Sequence, residues 1–146
     1  MGFKTIYNIA ASAMTANRLR INTIASNLAN SNTTRTAEGG PYKRRDVVFQ
    51  STNVEVPGFK KALDEASLRS VKVSAVYVDD KEPILVHNPS HPDADPESGM
   101  VKMPNINPVS EMVNLLGASN AYKAGAQITT ITKQMSQALT KLAQMR

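Results

Sequence analysis

Asn107-Pro108-Val109-Ser110-Glu111 reads as the opening of a helix. Asparagine caps well because its side-chain oxygen accepts the free N–H groups of the first turn. Proline suits the first helical position, and Glu111 sets a negative charge beside the positive end of the helix dipole. No proline follows up to residue 146. Positions 128, 131, 135, 138, 142 and 145 read Ile128, Ile131, Met135, Ala138, Leu142 and Met145, an apolar residue at every step of a 3-4 spacing, as in a coiled-coil seam. Upstream the apolar face is Met112, Leu115, Leu116 and Tyr122, in a different register. Between them Gly117, Ala118, Ala121, Ala124, Gly125 and Ala126 are small enough to let another backbone approach, and the alanine faces stay available to further helices. A helix over 108–145 would be ~57 Å long at ~1.5 Å per residue. A compact globule of this chain length is only ~38 Å across. Either the helix breaks near the glycines or the molecule is elongated.

The N-terminal end carries a matching signal. Tyr7, Ala10, Met14, Asn17, Ile21, Ile24 and Leu28 repeat the 4-3 spacing, with Asn17 the one polar member. A polar residue at a seam position sets register at some cost in stability. The pattern fades in Asn30-Ser31-Asn32-Thr33-Thr34, whose side chains favour turns by bonding to nearby backbone.

All eight prolines lie between Pro41 and Pro108. Since proline costs about 3 kcal/mol inside a helix, the two ends are free to be long helices and the middle is not. Val47-Val48-Phe49, Ser70 to Ser74 continuing through Val76-Tyr77-Val78, Ile84-Leu85-Val86 and Met100 to Met103 read as strands. Ala62 to Arg69 reads as a helical turn or two, His87 to Ser98 as a loop, and Gly39-Gly40-Pro41 as a turn. The expected class is therefore α+β: long N- and C-terminal α-helices packing as a coiled-coil-like pair, parallel or antiparallel, with a small β-rich module between them. The boundaries read 1–35 for the first helix, 36–106 for the module and 107–146 for the second helix.

Composition narrows the function. Of the 146 residues 41% are apolar and 20% charged, and no apolar run reaches the ~18 residues of a membrane span. The start, Met1-Gly2-Phe3-Lys4, lacks the pattern of a cleaved secretory signal. With no cysteine, disulfides, thiolate metal sites and cysteine nucleophiles are excluded. Charge is segregated: +6 over residues 1–45, −4 over 46–104 and +3 over 105–146. The densest basic cluster is only Lys43-Arg44-Arg45, and the ends are mostly uncharged Asn, Ser, Thr and Ala, so a nucleic-acid or anion binder using the basic ends ranks second. His87, His91, Asp93, Asp95 and Glu97 form the one cluster of metal-ligating types. Pro89 and Pro92 prevent both histidines from sharing a helical face, and the spacing is not that of a calcium loop, so a structural loop outranks a metal-dependent hydrolase. No nucleophile elbow or phosphate-binding glycine loop is present, and no cofactor is expected.

Ser26-Asn27-Leu28-Ala29-Asn30-Ser31-Asn32-Thr33 followed by Gly39-Gly40-Pro41-Tyr42-Lys43-Arg44 resembles the N-terminal signature of the bacterial flagellar basal-body rod protein family. Arg45 to Phe49, His91 to Asp95, Met103 to Pro108, Glu111 to Val113, Ala118-Ser119, Ala121-Tyr122 and Lys133 to Met135 extend the resemblance over nearly the whole chain. It implies a non-enzymatic rod subunit, exported by the flagellar type III apparatus without a cleaved signal and assembled as a helical tube in the periplasm. Such a subunit would transmit motor torque, with copies of itself and other rod proteins as partners through the terminal helices, and with no nucleic acid or membrane insertion. The assembly interface expected on this reading comprises Tyr7, Ala10, Met14, Ile21, Ile24, Leu28, Met112, Leu116, Tyr122, Ile128, Ile131, Met135, Leu142 and Met145. The signature residues are Asn27, Ala29, Asn30, Thr33, Gly39, Gly40, Pro41, Tyr42 and Lys43.

Overall fold

Two helices carry most of the regular structure in the computed structural model, which describes residues 3–54 and 68–144. Helix α1 runs Phe3–Ala29, then come strands β1 (Arg45–Asn53), β2 (Arg69–Val78), β3 (Ile84–His87) and β4 (Met100–Met103), and helix α2 closes the order at Pro108–Gln144. The class is α+β. Helix α1 ends where the Asn/Ser/Thr run begins, and the four strands fall on the four apolar runs named above. The helical turn expected at Ala62 to Arg69 falls on residues 62–67, outside the described residues, apart from its last members, Leu68 and Arg69. Helix α2 starts as its sequence dictates: Asn107 Oδ1 accepts from the N–H groups of Val109 at 3.0 Å and Ser110 at 3.3 Å. It then runs unbroken through Gly117 and Gly125, so the break near the glycines does not occur.

The strands form two small sheets, β1 with β2 and β3 with β4. Asp79 N–H donates to Arg44 O and Val54 N–H to Leu68 O, just beyond the strand ends, so β1 and β2 run antiparallel. Between those bonds ten residues of β2 face nine of β1, the signature of a bulge. In the second sheet Ile84 pairs with Met103 and His87 with Met100, antiparallel.

The chain forms two compact units, neither a contiguous stretch. Among described residues the first holds 3–19, 48–54, 68–75 and 118–144, and the second holds 20–47 and 76–117. In the first unit the start of α1 lies antiparallel to the second half of α2. The approach is close at Gly125, where an added Cβ would sit 2.7 Å from Met14 Cγ and 3.6 Å from Ala10 O. Gly117 has no such neighbour, so close approach explains only one of the two glycines. The buried apolar side chains of this unit, among described residues, are alanines: Ala10, Ala16 and Ala118. The second unit buries Ile24, Val47, Val101 and Ile106, each contributing up to about 1.5–3 kcal/mol. Among the described residues, larger apolar burial is thus concentrated in the second unit, and full burial in the first falls on small residues. Asn17, the polar member of the N-terminal pattern, is half-buried, and its Nδ2 donates to Ala13 O one turn back in its own helix.

Candidate functional site

The signature after α1 folds as a return path that ends on its own helix. Asn30 Nδ2 donates to Ser26 O, and Thr33 N–H donates to Asn30 O. Gly39 and Gly40 adopt φ of 86° and 75°, a region glycine enters without steric cost. The loop closes as Thr36 N–H donates to Gly40 O and Tyr42 N–H to Thr33 O. Lys43 Nζ then reaches Asp80 at 2.9 Å, a bond that raises the lysine pKa. Ala29, the last helical residue, is exposed, and nothing in the structure explains its place in the signature.

The path delivers Tyr42, Arg44 and Arg45 to Asn27, which is fully buried. Asn27 uses both ends of its amide. Nδ2 donates to Arg45 O at 2.7 Å and to Glu111 Oε2 at 3.0 Å, while Oδ1 accepts from Arg45 N–H at 2.9 Å and from the Tyr42 hydroxyl at 3.2 Å. Glu111 is 2% exposed, and its other oxygen accepts from Arg44 Nε at 2.8 Å. Burial works against the charge on Arg44, but the bonds and charges of Glu111 and Asp46 outweigh it and leave the guanidinium pKa above its ordinary value. Every member of this buried network has partners, the condition under which such networks rigidify rather than destabilise a fold. It ties the end of α1, the return loop and the first turn of α2 into one piece. Sequence reading placed Asn27 and Tyr42 in the signature and Glu111 in a helix's first turn. It did not foresee that they meet, nor the parts of Arg44 and Asp46.

Helix α2 turns an unusual face inward. Its buried positions include Glu111, Ala118, Gly125 and Thr132, recurring every seven residues and all small or polar. Its large apolar side chains point out, except Leu115, which is half-buried. In the second unit Val109, Met112, Val113 and Leu116 form one exposed face, and in the first unit Ile128, Ile131, Met135, Leu139 and Leu142 form another, Leu116 and Leu142 each being 65% exposed. The residues expected at an interface therefore separate. Tyr7, Met112, Leu116, Tyr122, Ile128, Ile131, Met135 and Leu142 are exposed; Met14, Ile21 and Leu28 are half-buried; Ala10 and Ile24 are buried within the subunit; Met145 lies outside the described residues. Ala118, expected to be available to further helices, is already covered, whereas Ala121 and Ala124 are exposed.

Members of the histidine and acid cluster bond within their own loop and to the return loop after α1. His91 Nδ1 accepts from Asp93 N–H, Asp93 accepts from Thr34 Oγ1 and pairs with Arg35 at 2.8 Å, and Asp95 accepts from Ser98 and from Glu97 N–H, which lowers its pKa. Among the described residues no group of three His, Asp or Glu side chains could hold a metal ion. No described helix is long and apolar enough to cross a membrane.

Residues 8–35 match the family model described as "Flagella basal body rod protein", and residues 97–142 match "Flagellar basal body rod FlgEFG protein C-terminal". The chain is similar to three proteins each called flagellar basal-body rod protein FlgC. It is 36% identical to that of Borreliella burgdorferi over 92% of this chain and 93% of the relative. Identity to the Escherichia coli O6:H1 protein is 39% over the same shares. To the Bacillus subtilis protein it is 38%, over 88% of this chain and 89% of the relative.

Proposed function

Because the chain belongs to the flagellar basal-body rod protein family and is a structural subunit of that rod, we propose that it builds the rod by laying the outward apolar face of α2 against neighbouring subunits. The observation that carries this reading is the inverted burial of α2, small and polar residues inside and large apolar residues outside. Apolar surface repels water in proportion to its area, and contiguous exposed patches mark sites of association. The assigned interface comprises Tyr7, Met112, Leu116, Tyr122, Ile128, Ile131, Met135 and Leu142. Met14, Ile21 and Leu28 border it, and Ala10 and Ile24 support it from within. On this reading residues 1–35 and 107–146 form the tube's helical core, and 36–106 the module outside it.

The role is mechanical rather than catalytic. The subunit takes a place in the proximal rod with copies of itself and other rod proteins, as part of a tube that crosses the periplasm and passes motor torque outward. A helical tube needs contacts between unlike surfaces that repeat without closing, which an exposed helix face and a separate β module can provide. Export through the flagellar type III apparatus calls for a chain that unfolds readily. The absence of cysteine and the alanine-lined burial of the first unit favour that.

Ile131→Asp, at a half-exposed position, is expected to leave the purified subunit folded and within about 0.5 kcal/mol of the parent. In cells lacking the native gene it is expected to abolish motility and rod incorporation. Normal swimming by this variant would refute the role of the α2 face.

A further inference from the structure

Charge is divided unevenly between the two units. Over the full sequence the first unit carries ten Lys or Arg against three acids, Glu55, Asp64 and Glu65, whereas the second carries seven Lys or Arg against nine acids. In the first unit an open groove of about 550 Å³ lies between the start of α1 and the second half of α2, a volume typical of binding clefts. Phe3 and Tyr7 give it an apolar wall, and Lys4 and Lys133 line it with positive charge. Both lysines are exposed, and neither pairs with an acid among the described residues.

The second unit carries a surface of the opposite kind. Ile84, Leu85 and Val86 are all exposed on β3, which among the described residues pairs only with β4 and so has one open edge. Glu82 precedes this run across Pro83, with its carboxylate exposed and unpaired among the described residues. Its backbone is held in place by the bond from Asn105 Nδ2 to Glu82 O at 3.1 Å. An apolar strand led by an acid complements an apolar groove lined by two lysines.

We propose that β3 of one copy seats in the α1–α2 groove of the next, with Ile84 and Val86, which share one face of the strand, against Phe3 and Tyr7, and Glu82 between Lys4 and Lys133. This deepens the rod-subunit reading and rests on it. The occupant is a second copy because both halves of the match, in apolar character and in charge, reside on this one chain. Strand and groove are different surfaces, so the contact is heterologous and adds copies in one direction without closing.

The test is self-association of the purified full chain, followed by sedimentation at low and high salt. The unaltered chain is expected to associate more weakly as salt rises. Glu82→Lys, and the pair Lys4→Glu with Lys133→Glu, are each expected to weaken association at low salt by about tenfold or more. The triple variant with all three charges reversed is expected to recover to within about threefold of the parent, since the attraction is restored with its sign exchanged. Circular dichroism identical to the parent shows that each variant is folded. The proposal is overturned if the triple variant associates as poorly as its parts, if the single reversals have no effect, or if the unaltered chain shows no salt-sensitive association. Were that to happen while Ile131→Asp still blocked rod incorporation, the α2 reading would survive and only the strand-in-groove contact would fall. Normal incorporation of Ile131→Asp would remove the reading itself.

Discussion

Asn27→Asp is expected to destabilise the folded subunit by about 3 kcal/mol near neutral pH, the scale of an uncompensated buried charge. The change is nearly isosteric, so packing is conserved and the effect isolates the chemistry. The amide nitrogen that donates to Glu111 Oε2 at 3.0 Å and to Arg45 O at 2.7 Å becomes an oxygen. A second carboxylate then faces Glu111 where burial is complete, and the Arg45 carbonyl loses its donor. Two carboxylates at this distance cannot both stay ionised cheaply, so one binds its proton more tightly in the folded chain than in the unfolded chain. With a carboxyl pKa raised on folding, the unfolded state holds fewer protons, and stability falls as pH rises through the shifted value. The deficit against the parent should therefore shrink on acidification. Adding Glu111→Gln restores a donor opposite the new carboxylate and should recover at least about 1 kcal/mol beyond additivity. Urea unfolding of the four proteins at two pH values measures both. Equal stability of Asn27→Asp and parent would show that the network does not hold α1, the return loop and α2 together.

Ile24→Asp is expected to remove the folded state rather than weaken an interface. Ile24 is 3% exposed in the second unit, which holds the larger buried apolar side chains. Truncating a buried isoleucine costs about 2–5 kcal/mol, and burying an unpaired carboxylate adds to that. A loss of about 5 kcal/mol or more matches the whole stability of many domains. Far-UV circular dichroism of Ile24→Asp should show lost helix and no cooperative melt, whereas Ile131→Asp should overlay the parent. The same chemical change at two seam positions then separates folding from assembly. A native-like Ile24→Asp spectrum would contradict the burial that assigns Ile24 to the subunit's own core.

Much of the architecture was legible because each signal was local. Asn107 and Pro108 announce the start of α2 within four residues, the prolines confine the strands to the middle, and β-branched residues mark the first three while Met100 to Met103 gives only a faint signal for the fourth. The buried network was not legible in the same way. Asn27 and Glu111 lie 84 positions apart, and no periodicity encodes a hydrogen bond between two elements. The inward stripe of α2 was not legible for a related reason. The apolar 3-4 spacing was assigned to assembly with neighbouring subunits, which left open what the helix turns inward, and that stripe is Glu111, Ala118, Gly125 and Thr132. Their seven-residue recurrence was visible in the sequence, yet small and polar residues carry little weight in a hydrophobic pattern. On the proposed function, these bulky side chains are kept for neighbouring subunits.

The absence of cysteine allows that statement to be tested at one atom. Leu139→Cys places a single thiol on the outward face of α2, at a position 53% exposed. Its rate of alkylation by a maleimide should be fast in the purified subunit and at least about tenfold slower in isolated rods, where a neighbour covers the face. Equal rates in the two would mean that this face stays bare in the rod, and that assembly runs through some other surface.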